Sequence, residues 1–548
     1  MSQATAEAVE TSVDDTNRGL NMRPGQVGAE GSPAIDITTM PVLNNPLEDG
    51  VYCCLASLPG SSHSLLLNCI KAVLQRCGDA GMTLATACSG TDIVIKVFES
   101  AGRVLSHLHG IENFRADHVM SVEIEEKKRA FIRSQLAADF PSMLLLEDVE
   151  ALKGHRAYCH IAERKRLIPY SHIFTAGFSC TSVSTLNNAR AANASSIQLQ
   201  TSCATADSFY NILEHIRSMS PMVVVLENVK ELLNITAGLP QSDGDFVLAQ
   251  LHSLGYWAAW FVLDAEKYGS IARRRRVYFL AAHLQQGMEQ LHDQVTMLAT
   301  NLIASMETGP GQVHQFVSLT SGSQHDRSAD QAEEDEPPAK VAKRSANVSF
   351  GMEHLEIYAD AGMSWPPDIS QLKELETSGF TQRQLEVVYY LHTKWPASKT
   401  TPPRFVDVNS SLSRLVTNKS ESYCPWSEEA PTLTSQSTLA IRYIATDNKQ
   451  LVIRAVTGLE LLNIIGWSSD MWAKSTPAAI TSDNNLLTSL SGNAFSAFAV
   501  VPAIITALAA AGAKPSFFRA PCLDDAESVR ASAADAHSDG TLSVSLSS

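Results

Sequence analysis

At 548 residues the chain is too long for a single hydrophobic core, so two domains flanked by tails are expected. Hydrophobic residues make up 45% and charged residues 18%, a globular balance in which no apolar run reads as a membrane span and no signal sequence opens the chain. The formal net charge of −16 argues against a surface coated with nucleic acid, yet it permits a local basic groove, because counterion release depends on the charges at the contact. None of the ten cysteines forms a C-x-x-C pair, so neither a zinc module nor a compact disulfide framework is expected. An intracellular, reduced protein without a metal is the simplest reading.

Residues 1–48 are rich in Ser, Thr, Ala, Asp and Gly without periodicity, and read as a disordered tail. The segment "SLLLNCIKAVLQRC", 64–77, has the apolar spacing of a helix. From residue 83, short apolar runs alternate with helix-like segments: "MTLATACSG", "HVMSVEI", "SMLLLEDV", "SHIFTAGF", "PMVVVLENV", "WAAWFVLDA" and "RRVYFLAAH". That rhythm predicts an α/β fold, a mostly parallel sheet with helices on both faces. The last two runs lie close together and suit a hairpin at the sheet edge.

Residues 306–347, with "SGSQHDRSADQAEEDEPPAKVAKRSA", are polar and aromatic-poor and read as a flexible insertion. Within it "PPAKVAKR" reads as a solvated charge cluster or a weak nuclear-import signal. Mixed structure resumes over 349–480, around Trp365, Trp395, Trp426 and Trp467, and beyond Arg519 the chain drifts into a second tail.

Ligands of open α/β sheets bind at the carboxyl ends of the strands. The first run ends in "ACSGTD", whose small residues allow a tight turn into a helix and close backbone approach to a ligand. Glu123 follows the second run and Asp148 the third, Cys180 the fourth and Glu227 the fifth. One acidic strand end is ordinary, since such residues also cap helices. A small-residue turn, two acids, a cysteine and a glutamate on five consecutive strand ends form a site. Between two apolar runs, "ARRRRV" places Arg274 and Arg276 on one face by alternation.

These segments resemble the cytosine-5 DNA methyltransferases that use S-adenosylmethionine. "TACSGTDIVIKVFESAG" is similar to the family's cofactor loop, "SVEIEEKKRAF" to its ribose motif and "LLEDVEAL" to its adenine motif. "GFSCTSVS" resembles the nucleophile loop, "VVVLENVKELL" the glutamate motif, and "GYWAAWFVLDAEKYGSIARRRRVYFLAAH" the arginine motif. "RAVTGLELLNIIGW" and "SGNAFSAFAVVPAI" resemble the last two motifs, so all eight stand in family order.

The resemblance implies a Rossmann-like S-adenosylmethionine-dependent methyltransferase fold with a smaller target-recognition domain. The cofactor domain would span 49–285, completed by 485–512. The recognition domain would span 286–484 with the insertion 306–347, and 513–548 would be the second tail. Cys180 would be the nucleophile and Glu227 its acid partner, with Arg274 and Arg276 the paired arginines. Cys88, Ser89, Gly90 and Thr91 would form the cofactor loop. Glu123 with Ile124 would take the ribose side, Asp148 with Val149 the adenine, and Asn493 the methionine end. The substrate would be a cytosine flipped out of DNA, with RNA or a non-enzymatic scaffold as the other readings. The protein would be nuclear in a eukaryote and cytoplasmic otherwise.

The chemistry accounts for these residue types. Carbon 5 of cytosine is a poor nucleophile, and a thiolate adding at carbon 6 makes an enamine-like ring that can attack a methyl group. A protonated glutamate at ring N3 relieves the charge that addition creates. The arginines can hold the carbonyl oxygen and favour the thiolate. A stacked base is out of reach, so it must be flipped. Several positions depart from the family pattern. Ser179 stands where proline is usual, Thr181 and Ala272 where glutamine is, and Thr91, Asp92 and Ile93 occupy the region of the later glycines of the cofactor loop. Loss of a proline removes a fixed φ angle from the nucleophile loop.

Overall fold

The computed structural model describes residues 45–180, 196–199, 204–236, 238–284, 288–320, 369–398, 401–409 and 425–518. The first helix, α1 (Pro46–Ala56), is started by Asn45, whose Oδ1 accepts from the Glu48 N–H at 3.0 Å, with Pro46 in the first turn. Leu47, Val51 and Leu55, four residues apart, are fully buried. The tail expected over 1–48 therefore ends earlier, because Pro46 to Glu48 carry a cap and an apolar stripe. The expected helix over 64–77 is the larger part of α2 (Gly60–Cys77).

There follow β1 (Met82–Ala87), α3 (Ile93–His109), β2 (Ala116–Val122), α4 (Glu126–Leu136) and β3 (Leu144–Leu146). Next come a small hairpin of β4 (Arg156–Cys159) and β5 (Arg164–Leu167), then β6 (Ile173–Gly177), α5 (Ala204–Met219) and β7 (Val223–Val229). The sheet is completed by α6 (Asp243–Ser253), β8 (Trp257–Asp264) and β9 (Arg275–Ala282). Among the described residues the main sheet has seven strands in the order β3-β2-β1-β6-β7-β9-β8. β9 is antiparallel to both its neighbours, as the two closely spaced final runs require, and β8 is the edge. The remaining pairs are parallel, and their strands are apolar on both faces, as in β7, where every residue is buried.

The chain winds outward from β1 to β3, then returns and winds the other way from β6. The switch lies between β1 and β6, where Leu84 to Ala87 pair with Ile173 to Ala176. Helix α7 (His292–Ser305) buries Val295, Leu298, Ala299, Leu302 and Ile303 and packs on the sheet's central helix. Trp257 of β8 donates to Thr296 Oγ1 at 3.0 Å. Residues 288–305 thus belong to the main-sheet layer, not to the recognition domain expected over 286–484. The insertion expected from 306 also begins later: Phe316 and Val317 are buried, and Thr446 N–H donates to Leu319 O at 2.9 Å. Its remainder, 321–347, lies outside the described residues.

A second apolar cluster forms around α8 (Gln382–Lys394) and an antiparallel sheet of β10 (Arg404–Asp407), β11 (Leu439–Ile444) and β12 (Leu451–Ala455). Tyr390, Leu391, Val406, Trp426 and Ile453 fill it. Past it, α9 (Gly458–Ile464) and α10 (Asn484–Asn493) pack together, and Trp467 and Trp472 edge onto Phe131 of α4. Residues 458–484 therefore lie against the main-sheet layer, leaving a second core among the described residues of 369–456. The final helix, α11 (Ala497–Gly512), is buried at every position and packs against α2, α3, α7, β7 and β9. The stretch 484–512 is long and apolar enough to cross a bilayer, contrary to expectation, but it is wholly buried as the core helix of this layer.

Candidate active site

The carboxyl ends of β1, β2, β3, β6 and β7 open onto a cavity of about 560 Å³, at the switch point where a doubly wound sheet binds its ligand. That volume lies within the roughly 300–1,000 Å³ of small-molecule sites. Cys88, Gly90, Glu123, Ile124, Asp148, Val149, Cys180, Glu227, Arg274, Arg276 and Asn493 all line it. Ser89 and Thr91, expected beside them, are buried beneath the loop instead. An adjoining cavity of about 740 Å³ shares Asp148 but holds none of the other strand-end groups.

At one end of the cavity the loop after β1 takes an unusual path. Cys88, Gly90 and Asp92 have φ of 54°, 75° and 57°, so two residues with side chains occupy the left-handed region. Asp92 holds this shape. Its Oδ1 accepts from Thr86 Oγ1 at 2.6 Å and from Ser89 Oγ, and Ser89 Oγ accepts from the Asp92 N–H at 3.1 Å. A side chain on Gly90 would stand 3.1 Å from Ala494 N, so glycine is needed for this loop to meet the end of α10. Burial, with Glu123 and Asp148 adding to it, pushes the Cys88 thiol up to about 12, which makes it a packing residue rather than a reactive one.

Glu123 is buried, and its Oε1 accepts from the Glu125 N–H at 2.9 Å. Burial raises its pKa above the usual carboxylate range, while the Glu125 N–H and Lys128 act against the shift. Arg129 anchors the turn by donating to Glu123 O at 2.9 Å and to Ile124 O at 2.5 Å. Ile124 is 64% exposed, an aliphatic side chain left uncovered at a cavity wall. Asp148 Oδ1 accepts from the Glu150 N–H at 2.8 Å, so this acid caps a short helical turn and lines the cavity at once.

Beside the loop after β1, on the strand paired with β1, Gly177 closes β6. A side chain there would sit 2.8 Å from the Phe495 ring and 3.2 Å from Cys88 O. Ser179, in the place of proline, donates its N–H to Ser208 Oγ of α5 at 3.0 Å. Asn228 donates to Phe178 O at 2.9 Å and ties β7 to the same loop. Cys180 is half-buried at the end of this segment, and Thr181 lies outside the described residues.

Burial raises the Cys180 thiol, Glu227 adds to the shift, and Arg276 and Arg274 oppose it. The expectation that the arginines favour the thiolate holds in direction only, because burial outweighs them. Glu227 Oε1 is buried without a hydrogen bond among the described residues. Arg276 Nε stands 3.2 Å away as an ion pair. Arg274 is buried, and its guanidinium donates to Leu433 O and Gly492 O at 3.2 Å and to Ala494 O at 2.7 Å. Burial, then the nearby Arg276, lowers its pKa to about 10. Arg275, between the two, turns outward to Asp264 at 2.8 Å, which confirms the predicted alternation.

A family model described as C-5 cytosine-specific DNA methylase matches residues 108–509, most of the chain. The chain belongs to this family. The type II methyltransferase M.Sau3AI of Staphylococcus aureus is 37% identical over 70 residues, 13% of this chain and 17% of that protein, so the match spans less than a fifth of this relative. The solved Dnmt2 methyltransferase of S. pombe is 12% identical, covering 77% of this chain and 97% of that one with a TM-score of 0.37. The methyltransferase EhMeth of Entamoeba histolytica is 10% identical over 78% and 98%, also at 0.37. The family match begins beyond the loop at 86–92, the segment where the later glycines are missing.

The methyl donor of this family is S-adenosylmethionine, and the cavity suits it. The buried Glu123 and the partly exposed Asp148, at two strand ends, can accept from hydroxyl and amino groups, the exposed Ile124 offers an apolar face, and the bare Gly90 admits close backbone approach. The sheet is accordingly that of a Rossmann-like methyltransferase. Three supporting residues had gone unread in the sequence: Gly177, Asn228 and Ser208. The first two stand beside Cys180 and Glu227 in their motifs, a signal that was available. Ser208 arrives from a helix after a long gap, and no local pattern points to it.

Proposed function

We propose that the protein transfers a methyl group from S-adenosylmethionine to carbon 5 of cytosine in DNA through a covalent bond from Cys180. The observation that carries this reading is the convergence of Cys180, Glu227 and Arg276 at one end of a cavity whose other end holds Glu123 and Asp148. When bound, S-adenosylmethionine supplies an electrophilic methyl group. Glu123 and Ile124 would hold its ribose side, Asp148 and Val149 its adenine, and Asn493 its methionine end.

Cys180 Sγ gives up its proton to solvent and adds to ring carbon 6. Glu227 gives a proton to ring N3, and Arg276 beside it holds the carbonyl oxygen. Carbon 5, made nucleophilic by this addition, would then be able to accept the methyl group that bound S-adenosylmethionine would supply. Solvent takes the carbon-5 proton as the thiolate is expelled, and N3 returns its proton to Glu227, which restores the ring. Because burial raises the thiol, the thiolate must form as the base seats, with Arg276 as the nearest stabilising charge. Arg274, committed to three carbonyls, positions Asn493 and the end of α10 rather than the base.

Cytosine bearing fluorine at carbon 5 cannot lose that substituent as a proton, so the covalent bond should persist. With cofactor present, the protein should form a denaturation-resistant adduct on a fluorinated DNA oligonucleotide, mapped to Cys180. Cys180→Ala should form none while still binding cofactor. An adduct on fluorinated RNA alone would overturn the substrate. No adduct on either, with cofactor bound, would overturn catalysis and favour a scaffold.

A further inference from the structure

The hairpin β4–β5 has no part in the site, and its composition is out of keeping with the chain. Between residues 153 and 167 stand five cations, Lys153, Arg156, Arg164, Lys165 and Arg166, against one carboxylate, Glu163, in a protein of net charge −16. The register pairs Arg156 with Leu167 and Tyr158 with Lys165. Strand alternation puts Ala157 and Cys159 into the core and these four side chains outward. Tyr158 is 48% and Leu167 63% exposed, so the outer face interleaves cations with uncovered apolar and aromatic surface.

Among the described residues no carboxylate pairs with Arg156, Arg164, Lys165 or Arg166, although acidic groups abound elsewhere. The hairpin is held firmly beneath. His160 N–H donates to Leu145 O at 2.9 Å, Ile168 N–H to His155 O at 3.0 Å, and Arg133 to His160 O. Arg164 and Arg166 pair opposite Cys159 and Ala157, so the outward face carries two unpaired cations, Arg156 and Lys165, beside an exposed tyrosine, the two components of sequence-independent nucleic-acid binding, phosphate neutralisation and base or sugar contact. It lies beside edge strand β3, which is itself three strand steps or roughly 14 Å from β6, the strand that leads to Cys180.

We propose that the outward face of β4–β5 is a second nucleic-acid contact, which grips the phosphodiester backbone outside the catalytic cavity. This rests on the reading that the protein acts on nucleic acid. Uncompensated cations on an acidic protein attract a polyanion locally even where the net charge repels it. The bound strand need only be long enough to run from the cavity to the β3 edge.

The test compares full-length wild type with Arg156→Ala/Lys165→Ala, with Tyr158→Ala, and with Lys71→Ala on the exposed side of α2 as a charge control. Fluorescence anisotropy on a duplex of about 30 base pairs and on a single-stranded RNA of similar length, across a salt series, reads both affinity and its salt slope. Loss of two phosphate contacts should reduce the slope of log K against log salt by about 2 on the duplex. Tyr158→Ala should weaken binding severalfold with the slope unchanged. Lys71→Ala should alter neither, and cofactor affinity should stay constant throughout.

An unchanged slope on both nucleic acids would overturn the proposal. So would an equal loss in Lys71→Ala, or a loss confined to phosphatidylserine vesicles. Trapping on fluorinated cytosine, measured on the same preparations, separates the two readings. A hairpin-dependent slope without trapping removes the catalytic proposal, and trapping with an unchanged slope removes this one.

Discussion

Glu123 and Glu227 stand at the ends of strands in one cavity, yet the chain holds them differently. Glu123 accepts a 2.9 Å bond from its own turn, and Arg129 anchors the carbonyls beside it. Glu227 has a buried oxygen that no donor reaches in line, with Arg276 Nε at 3.2 Å as its ion partner. A carboxylate bonded within its own loop is fixed before a ligand arrives, which suits recognition of a rigid cofactor. A buried oxygen left unsatisfied has a large free-energy gain to make when a proton or ring nitrogen meets it. The two carboxylates thus differ in how far their hydrogen bonding is met before a ligand arrives.

The sharpest way to break that contrast is at Glu227. Glu227→Gln keeps the shape but cannot deliver the proton, so turnover should fall on the order of 10²–10⁴-fold. Calorimetric affinity for S-adenosylmethionine should stay as in wild type, since the cofactor end does not use this side chain. Near-normal turnover would reduce Glu227 to a structural residue at the end of β7.

Arg274 tests whether the two ends are coupled. Its three acceptors lie on the 433 segment and at the end of α10, next to Asn493. Arg274→Met leaves buried carbonyls without donors and should lower unfolding stability by about 2–4 kcal/mol, since each unmet group costs roughly 1–3 kcal/mol and not additively. Denaturant melting measures this. A lysine in its place should recover only part, because one ammonium cannot span three acceptors. Stability equal to wild type, with turnover lost, would instead return Arg274 to the base.

At the cofactor end the effect should be smaller. Glu123→Ala should weaken S-adenosylmethionine binding by about 1–3 kcal/mol, the scale of a hydrogen bond to a charged group. Calorimetry on the folded variant decides it, and unchanged affinity would remove Glu123 from the site.

The main sheet was legible in the sequence because a parallel strand covered on both faces is written as a short apolar run, as in the "VVVL" of β7. The strand-end residues followed, since the fold puts chemistry at those ends. The hairpin β4–β5 was not legible, because "RAYC" buries only alternate residues and "RKRL" buries none, so neither carries an apolar run. Nor was α1, which hides behind the composition of the tail until Asn45 and Pro46. The extent of the recognition region misled for another reason: α7 has an ordinary amphipathic pattern that does not say which core it joins. The bonds of Arg274 span 159 to 220 residues of sequence, and no local pattern encodes them.

The smallest effect concerns the nucleophile loop. With proline at position 179 there would be no N–H to satisfy, and φ would be fixed by the ring. Serine brings both a freer φ and an extra donor, and Ser208 takes that donor at 3.0 Å while its own hydroxyl donates to Ala204 O at 2.7 Å. The loop is thus tied to α5 by a bond that a proline could not make. Ser208→Ala should release Ser179 and lower kcat by roughly two- to tenfold, the scale of one hydrogen bond, with KM for cofactor unchanged. Adding Ser179→Pro to Ser208→Ala should restore much of the loss, because the ring removes the orphaned donor and fixes φ again. If Ser208→Ala keeps full turnover, or if the double variant falls as far as the two single losses combined, the bond from Ser179 to Ser208 does not position Cys180.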